Sequence, residues 1–281
     1  MNKKLIAVLL VAILALGTFA GCGNKENEAD EEIELIVFAA ASMTETMNQI
    51  KELYETANPG VKITYTFDSS GTLKTQIQEG APCDIFISAA QKQMNQLDIT
   101  ADPSVNTEGL DFVISDTRIN LLENKVALAV DDQNTRGITS FDDLINLLKD
   151  DTLVLGEGEV LLCIGDADVP VGAYTLKIFA YYGIEEAAIA SKITYGQNVK
   201  AVTTAVSEGT ADCGIIYQTD AYSAKLTVVD TATAEMCGQV IYPAAVLNTT
   251  THEEAARAFL AYLQGEEASA IFESVGFTPI H

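Results

Sequence analysis

The feature that most restricts this chain is an apolar strand pattern that runs through three small residues straight into a helix start. Ile33–Phe38 is an apolar run of strand length, and Ala39-Ala40-Ala41-Ser42 follows it. From there Met43, Met47, Ile50, Leu53 and Tyr54 recur at helical spacing, so a helix is predicted from Ser42. Serine is a preferred N-cap, because its hydroxyl accepts from a free backbone N–H of the first turn. The same geometry collects N–H groups and the positive end of the helix dipole at one spot, which favours an anion. One such unit is an ordinary cap; a set of them converging is a binding site.

The unit recurs. Lys62–Phe67 alternates like a strand, and Asp68-Ser69-Ser70-Gly71-Thr72 then opens a second helix. Gly165–Gly172 is a loop into a helix on which Leu176, Phe179, Ala180 and Gly183 share a face. Lys192–Tyr195 reads as a strand, and Asn198 caps a helix over Val199–Glu208. Tyr217 ends the strand Cys213–Tyr217. Further strands are predicted at Asp84–Ser88, Lys125–Val130, Leu226–Val229 and Val240–Leu247, and terminal helices at Glu253–Leu263 and Glu267–Val275. Leu153–Leu155 and Val160–Ile164 read as a hairpin about Gly156-Glu157-Gly158, and Asp98–Asn120, which has no periodicity, as a long surface connection. This alternation predicts an α/β fold with mainly parallel sheets. In such sheets ligands sit beyond the carboxyl ends of the strands. Four loops meeting there would offer hydroxyls and amides without a cationic side chain, a donor set suited to an oxyanion.

The start of the chain is expected to lie outside this fold. Lys3 and Lys4 precede the apolar run Leu5–Leu16, and Phe19-Ala20-Gly21-Cys22 follows. The run is shorter than the roughly 20 residues of a membrane span. It looks like a bacterial lipoprotein signal over residues 1–21, with lipid on Cys22 and Phe19 where Leu is more usual. Residues 22–32 then read as an acidic, lipid-anchored tether. The full chain carries a formal charge of −24; removing residues 1–21 takes Lys3 and Lys4 and no acid, leaving −26. That balance repels nucleic acid, so no nucleic-acid partner is expected. Apart from Cys22, the cysteines Cys83, Cys163, Cys213 and Cys237 show no CxxC spacing and read as buried thiols, with pairing left open.

The chain resembles the periplasmic molybdate-binding proteins of ABC importers. The resemblance is carried by Val37-Phe38-Ala39-Ala40-Ala41-Ser42, by Ser69-Ser70-Gly71-Thr72-Leu73 and by Gly80-Ala81-Pro82-Cys83-Asp84-Ile85-Phe86. It continues through Val169-Pro170-Val171-Gly172, Gly214-Ile215-Ile216-Tyr217-Gln218-Thr219-Asp220-Ala221 and Tyr242-Pro243-Ala244-Ala245-Val246. It implies a type II periplasmic-binding-protein fold, with two lobes joined by two crossing strands that act as a hinge. On this chain the lobes would be 33–123 with 241–281, and 124–240. It implies molybdate or tungstate held by the hydroxyl and amide of Ser42 and of Ser70, the amides of Val171 and Val199, and the hydroxyl of Tyr217. It implies an ABC importer permease as partner, a monomer anchored outside the cell, no cofactor, no direct cation ligand and no catalysis. Val171 stands where a smaller Ala is usual, and Asp68 beside the serines would repel an anion unless it points to solvent.

Three rival readings follow from the residues. Another oxyanion, phosphate or sulfate, would use the same donors, with Asp68 as acceptor for a phosphate proton. Ferric ion would use Tyr181-Tyr182, adjacent tyrosines of the kind some iron-binding proteins of similar architecture use; packing against the lobe is the simpler expectation for them. A hydrolase would need a general base near Ser42, but His252 and His281 are the only histidines and neither lies near it in sequence.

Overall fold

Ile33–Ala40 forms the strand β1, and its alternate residues Leu35 and Val37 are completely buried. The computed structural model describes residues 32–150 and 159–280. The expected signal segment, Cys22 and nearly all of the tether lie outside the described residues, as do His281 and the Leu153–Gly158 part of the expected hairpin. Contacts make Glu32–His281 one compact unit.

After β1 come α1 (Thr44–Ala57), β2 (Val61–Asp68), α2 (Ser70–Gln78), β3 (Ile85–Ile87), α3 (Gln91–Asn95) and β4 (Ile119–Asn124). The chain then runs through β5 (Val126–Val130), α4 (Phe141–Lys149), β6 (Leu162–Gly165), α5 (Pro170–Tyr181), β7 (Ile193–Gly196), α6 (Val199–Ser207), β8 (Cys213–Tyr217), α7 (Gln218–Ala224) and β9 (Thr227–Thr231). It closes with α8 (Ala234–Cys237), β10 (Val240–Val246), α9 (Glu253–Tyr262), α10 (Glu266–Ser274) and β11 (Thr278–Pro279).

These strands make two sheets, one per lobe. The first has the order β11-β4-β10-β3-β1-β2, the second β7-β6-β8-β5-β9. The chain leaves the first sheet after Asn124 and enters the second at Val126, with Lys125 alone between them, and returns between β9 and β10. The fold is therefore α/β and two-lobed with two crossings. The sheets are mixed rather than mainly parallel. β1 pairs parallel with β2 and β3, and β6 with β7 and β8, but β10 is antiparallel to β3 and β4, and β5 to β8 and β9. The antiparallel pairs all involve the strands that flank the two crossings, or β11; a chain that crosses to a second lobe and comes back must run against its outgoing direction.

Helical spacing locates the core well. Met43, Met47, Ile50 and Tyr54 are buried, and α9 buries Phe259 and Leu260. Leu53, counted in the same spacing, lies on the outer face at 40% exposure. The expected surface connection over Asp98–Asn120 is different in the structure. Asp98, Asn106 and Val113 are buried. Asn106 donates to the carbonyls of Asp98 (3.0 Å) and Leu110 (2.7 Å) and accepts from the Leu110 amide (2.9 Å). A polar side chain supplies the bonds that a sheet would otherwise supply, which leaves no apolar period to read. Cys83, Cys163, Cys213 and Cys237 are buried and free, and burial pushes the Cys83 and Cys213 thiols well up.

Candidate functional site

Each binding loop is a strand end followed by a helix start, and local chemistry decides which atoms stay free. At α2, Ser69 is the N-cap: its hydroxyl accepts from the Thr72 amide at 3.1 Å. That leaves Ser70, at the first helical position and fully buried, to turn its hydroxyl inward, where it accepts from the Ala89 amide at 2.9 Å. At α6, Asn198 caps by accepting from the Ala201 amide at 3.0 Å, which puts Val199 at the first helical position. At α5, Pro170 occupies the first position, where a missing N–H is harmless, and Val171 the second. Helix geometry leaves the amides of Ser70, Gly71, Val171, Gly172, Val199 and Lys200 without an intrahelical acceptor.

Ser42 departs from the sequence reading. It lies in a 3-10 turn over Ala41–Met43, and α1 begins only at Thr44, with no side-chain cap. Its hydroxyl instead pairs with the Tyr242 hydroxyl at 2.9 Å. The tight alanine turn brings Ser42 beside β10, and a buried phenol competes successfully with the helix amides.

Ser42, Ser70, Val199 and Tyr217 meet around one cleft between the lobes, with Ser69, Asp68, Val169 and Pro170 completing much of its wall. Its cavity volume is about 10 Å³, room for about one water-sized sphere and far below the roughly 300–1,000 Å³ of pockets for organic ligands, so it admits nothing larger than a small ion. Val171 does not line it. Its side chain is buried in the apolar core, so the branched residue does not narrow the cleft, and only its backbone belongs to the helix turn behind Val169 and Pro170. Among the described residues no lysine or arginine lines the cleft. A wider, open hollow beside Lys177, Tyr181 and Glu235 lies against α5 and α8, away from these helix starts.

Tyr217 is 1% exposed and its hydroxyl has no partner in hydrogen-bond geometry. Burial raises its pKa well above the ordinary phenol value, with the neighbouring Tyr242, Tyr174 and Asp220 adding to the shift, so it stays a neutral donor. A buried donor left free beside a small cleft can serve an acceptor bound there.

Asp68 does not point to solvent. Its Oδ1 accepts from the Ser69 amide (2.7 Å) and, across the cleft, from Asn198 Nδ2 (3.1 Å). The carboxylate expected to repel an anion thus ties one lobe to the other. A second tie is Lys200, whose Nζ is 2.9 Å from both Glu45 carboxylate oxygens and 3.5 Å from Asp220 Oδ1. A third is steric: a Cβ on Gly71 would sit 2.3 Å from the Asp168 carbonyl oxygen. The lobes are closed on each other.

Sequence reasoning missed Tyr242 and Asn124 as parts of the site. Asn124 Nδ2 donates to the Tyr242 hydroxyl at 3.2 Å and to Thr219 Oγ1 at 2.9 Å. Tyr242 stood in a family motif, but its partner is 200 positions away. Of the adjacent tyrosines, Tyr182 packs against the core as expected while Tyr181 is 54% exposed, and among the described residues no three His, Cys, Asp or Glu side chains cluster as metal ligands. His252 stands at the start of α9.

Comparison with known proteins identifies the family and supports the fold. Residues 35–278 match the family model described as bacterial extracellular solute-binding protein. YvgL of Bacillus subtilis, provisionally named an ABC transporter substrate-binding lipoprotein, is 31% identical over 98% of this chain and 98% of its own length. The molybdate-binding protein ModA of Escherichia coli is 33% identical over 93% of this chain and 94% of its own. Among solved structures, the periplasmic molybdate-binding protein of Azotobacter vinelandii superposes with a TM-score of 0.71 at 20% identity, covering 88% of this chain and all of that one, a likeness of fold. The chain belongs to the bacterial extracellular solute-binding proteins.

Proposed function

We propose that this protein binds molybdate or tungstate outside the cell and delivers it to the permease of an ABC importer. The observation that carries the reading is the cleft itself: three hydroxyls, from Ser42, Ser70 and Tyr217, and three helix starts converge on a space for one small ion, with no cationic side chain among its described lining residues. The oxyanion is held by Ser42, Ser70, the amides of Val171 and Val199, and Tyr217. Neutral donors of this kind stabilise a charged acceptor by about 1.5–3 kcal/mol each, and the net charge of −26 left once residues 1–21 are removed is screened over about 8–10 Å of salt solution. The names of the similar ModA proteins support molybdate as the ligand. Binding uses no cofactor and no protein-bound cation, and the protein catalyses nothing. It works as a monomer, held to the membrane by lipid on Cys22; among the described residues no helix is long and apolar enough to cross a membrane.

Calorimetric titration of the chain from Gly23 with molybdate, tungstate, sulfate, phosphate and ferric citrate tests this. Tight one-to-one binding of molybdate and tungstate is expected, with sulfate and phosphate weak. Ser70→Ala removes one donor and is expected to raise Kd by roughly one to two decades without unfolding the chain. Iron binding with no oxyanion binding, or unchanged affinity in the Ser70 variant, rejects the site as drawn.

A further inference from the structure

The hydrogen-bond chain behind Ser42 has a direction, and an obligatory donor fixes it. The Lys125 backbone N–H donates to Asn124 Oδ1 at 2.8 Å. A backbone amide can only donate, so the carboxamide oxygen of Asn124 must face it, and the NH2 group must face the other way. That NH2 has two hydrogens. One goes to Thr219 Oγ1 at 2.9 Å and the other to the Tyr242 oxygen at 3.2 Å. The Tyr242 oxygen is therefore an acceptor from Asn124; the nearby Tyr217 hydroxyl is out of hydrogen-bond geometry, so the Tyr242 hydrogen goes to Ser42 Oγ, at 2.9 Å. With that lone pair engaged, the Ser42 hydrogen is directed into the cleft. Tyr242 is fully buried and Asn124 is 3% exposed, so water does not compete. At Ser70 a backbone amide does the same job in one step: Ala89 N–H donates to its oxygen, and the Ser70 hydrogen is left over.

We propose that Asn124 and Tyr242 are positioning residues that lock Ser42 as a hydrogen-bond donor, and so make the cleft select fully deprotonated oxyanions over protonated ones of equal charge. A ligand oxygen that carries a proton needs an acceptor at its seat. At Ser42 it meets another hydrogen instead. This rests on the oxyanion reading of the cleft and adds to it which residues set its preference.

Reversing the chain at its source tests this. Asn124→Asp keeps the oxygen that accepts from Lys125 but replaces the NH2 with an oxygen. Tyr242 then donates to position 124, Ser42 donates to Tyr242, and the Ser42 oxygen faces the cleft as an acceptor. The readout is the ratio of sulfate to hydrogen phosphate affinity, measured by competition against bound molybdate at mildly alkaline pH. Both competitors then carry two negative charges and only phosphate keeps a proton. The charge added by Asp opposes both anions alike and cancels in the ratio. The ratio is expected to shift toward phosphate by about tenfold or more, the worth of one charge-assisted hydrogen bond. Tyr242→Phe, which frees the Ser42 oxygen without adding charge, is expected to shift it the same way by less, and decides the question if the Asp variant does not fold. A ratio unchanged in the folded variants, even with weaker molybdate binding, overturns the proposal and leaves Asn124 and Tyr242 as packing. A wild-type chain that binds no oxyanion overturns the reading of the cleft itself.

Discussion

Asp220 is a buried acid whose environment sets a pH dependence. It sits in the first turn of α7, has no exposed surface, and neither carboxylate oxygen has a partner closer than Lys200 Nζ at 3.5 Å. Burial pushes its carboxyl up to about 7; Lys200 opposes the shift and Glu45 adds to it. The folded chain therefore holds this proton more tightly than the unfolded chain. The contribution of Asp220 to stability is fully present below the ordinary value of 3.8 and is lost as pH rises to about 7. Asp220→Asn is expected to flatten the decline in ligand-free melting temperature across that window and to leave the variant more stable than wild type at about pH 8. Equal pH profiles for the two chains would reject this. Asp220 was visible only as part of a motif, because its charge partners sit on α6 and α1. That Ser42, Ser70, Val199 and Tyr217 would line one cleft was legible, since each lies where a strand ends and a helical turn begins. The polarity of Ser42 was not, because Tyr242 reaches it through the fold.

At the scale of elements, the strand-to-helix units were legible, and so were three strands of the crossings, β5, β9 and β10; the fourth, β4, was not. β1, β2 and β8 have runs or alternations that announce them. β4, Ile-Asn-Leu-Leu-Glu-Asn, has neither: it lies between two partners and buries Leu121, Leu122 and Asn124. The helix start at α2 has a further constraint, since Gly71 faces the loop before α5 on the other lobe. An alanine there would put its Cβ 2.3 Å from the Asp168 carbonyl oxygen. Overpacking of this kind costs about 1–3 kcal/mol, and here the lobes can relieve it by staying apart. Gly71→Ala is expected to weaken molybdate binding by roughly 5- to 100-fold while the ligand-free melting temperature stays close to wild type. Calorimetry with a thermal scan checks both halves; a large fall in melting temperature would show instead that the contact holds each lobe together.

At the scale of the whole molecule, a ligand that bridges both lobes stabilises all of the fold at once. Molybdate at 100 times its Kd is expected to add about 2.7 kcal/mol, raising the melting temperature by roughly 5–10 °C for a chain of this size. The shift should grow with the logarithm of molybdate concentration, and a scanning fluorimetry series that is flat in molybdate would count against binding. The four thiols have a separate consequence. Cys83, Cys163, Cys213 and Cys237 are all free and buried, Cys237 at the edge of the open hollow by α8, and none is tied to another. Nothing in the described fold therefore waits for an oxidant. The described fold is thus one that closes the same way in a reducing compartment and in an oxidising one, with its packing and not a covalent link holding each lobe.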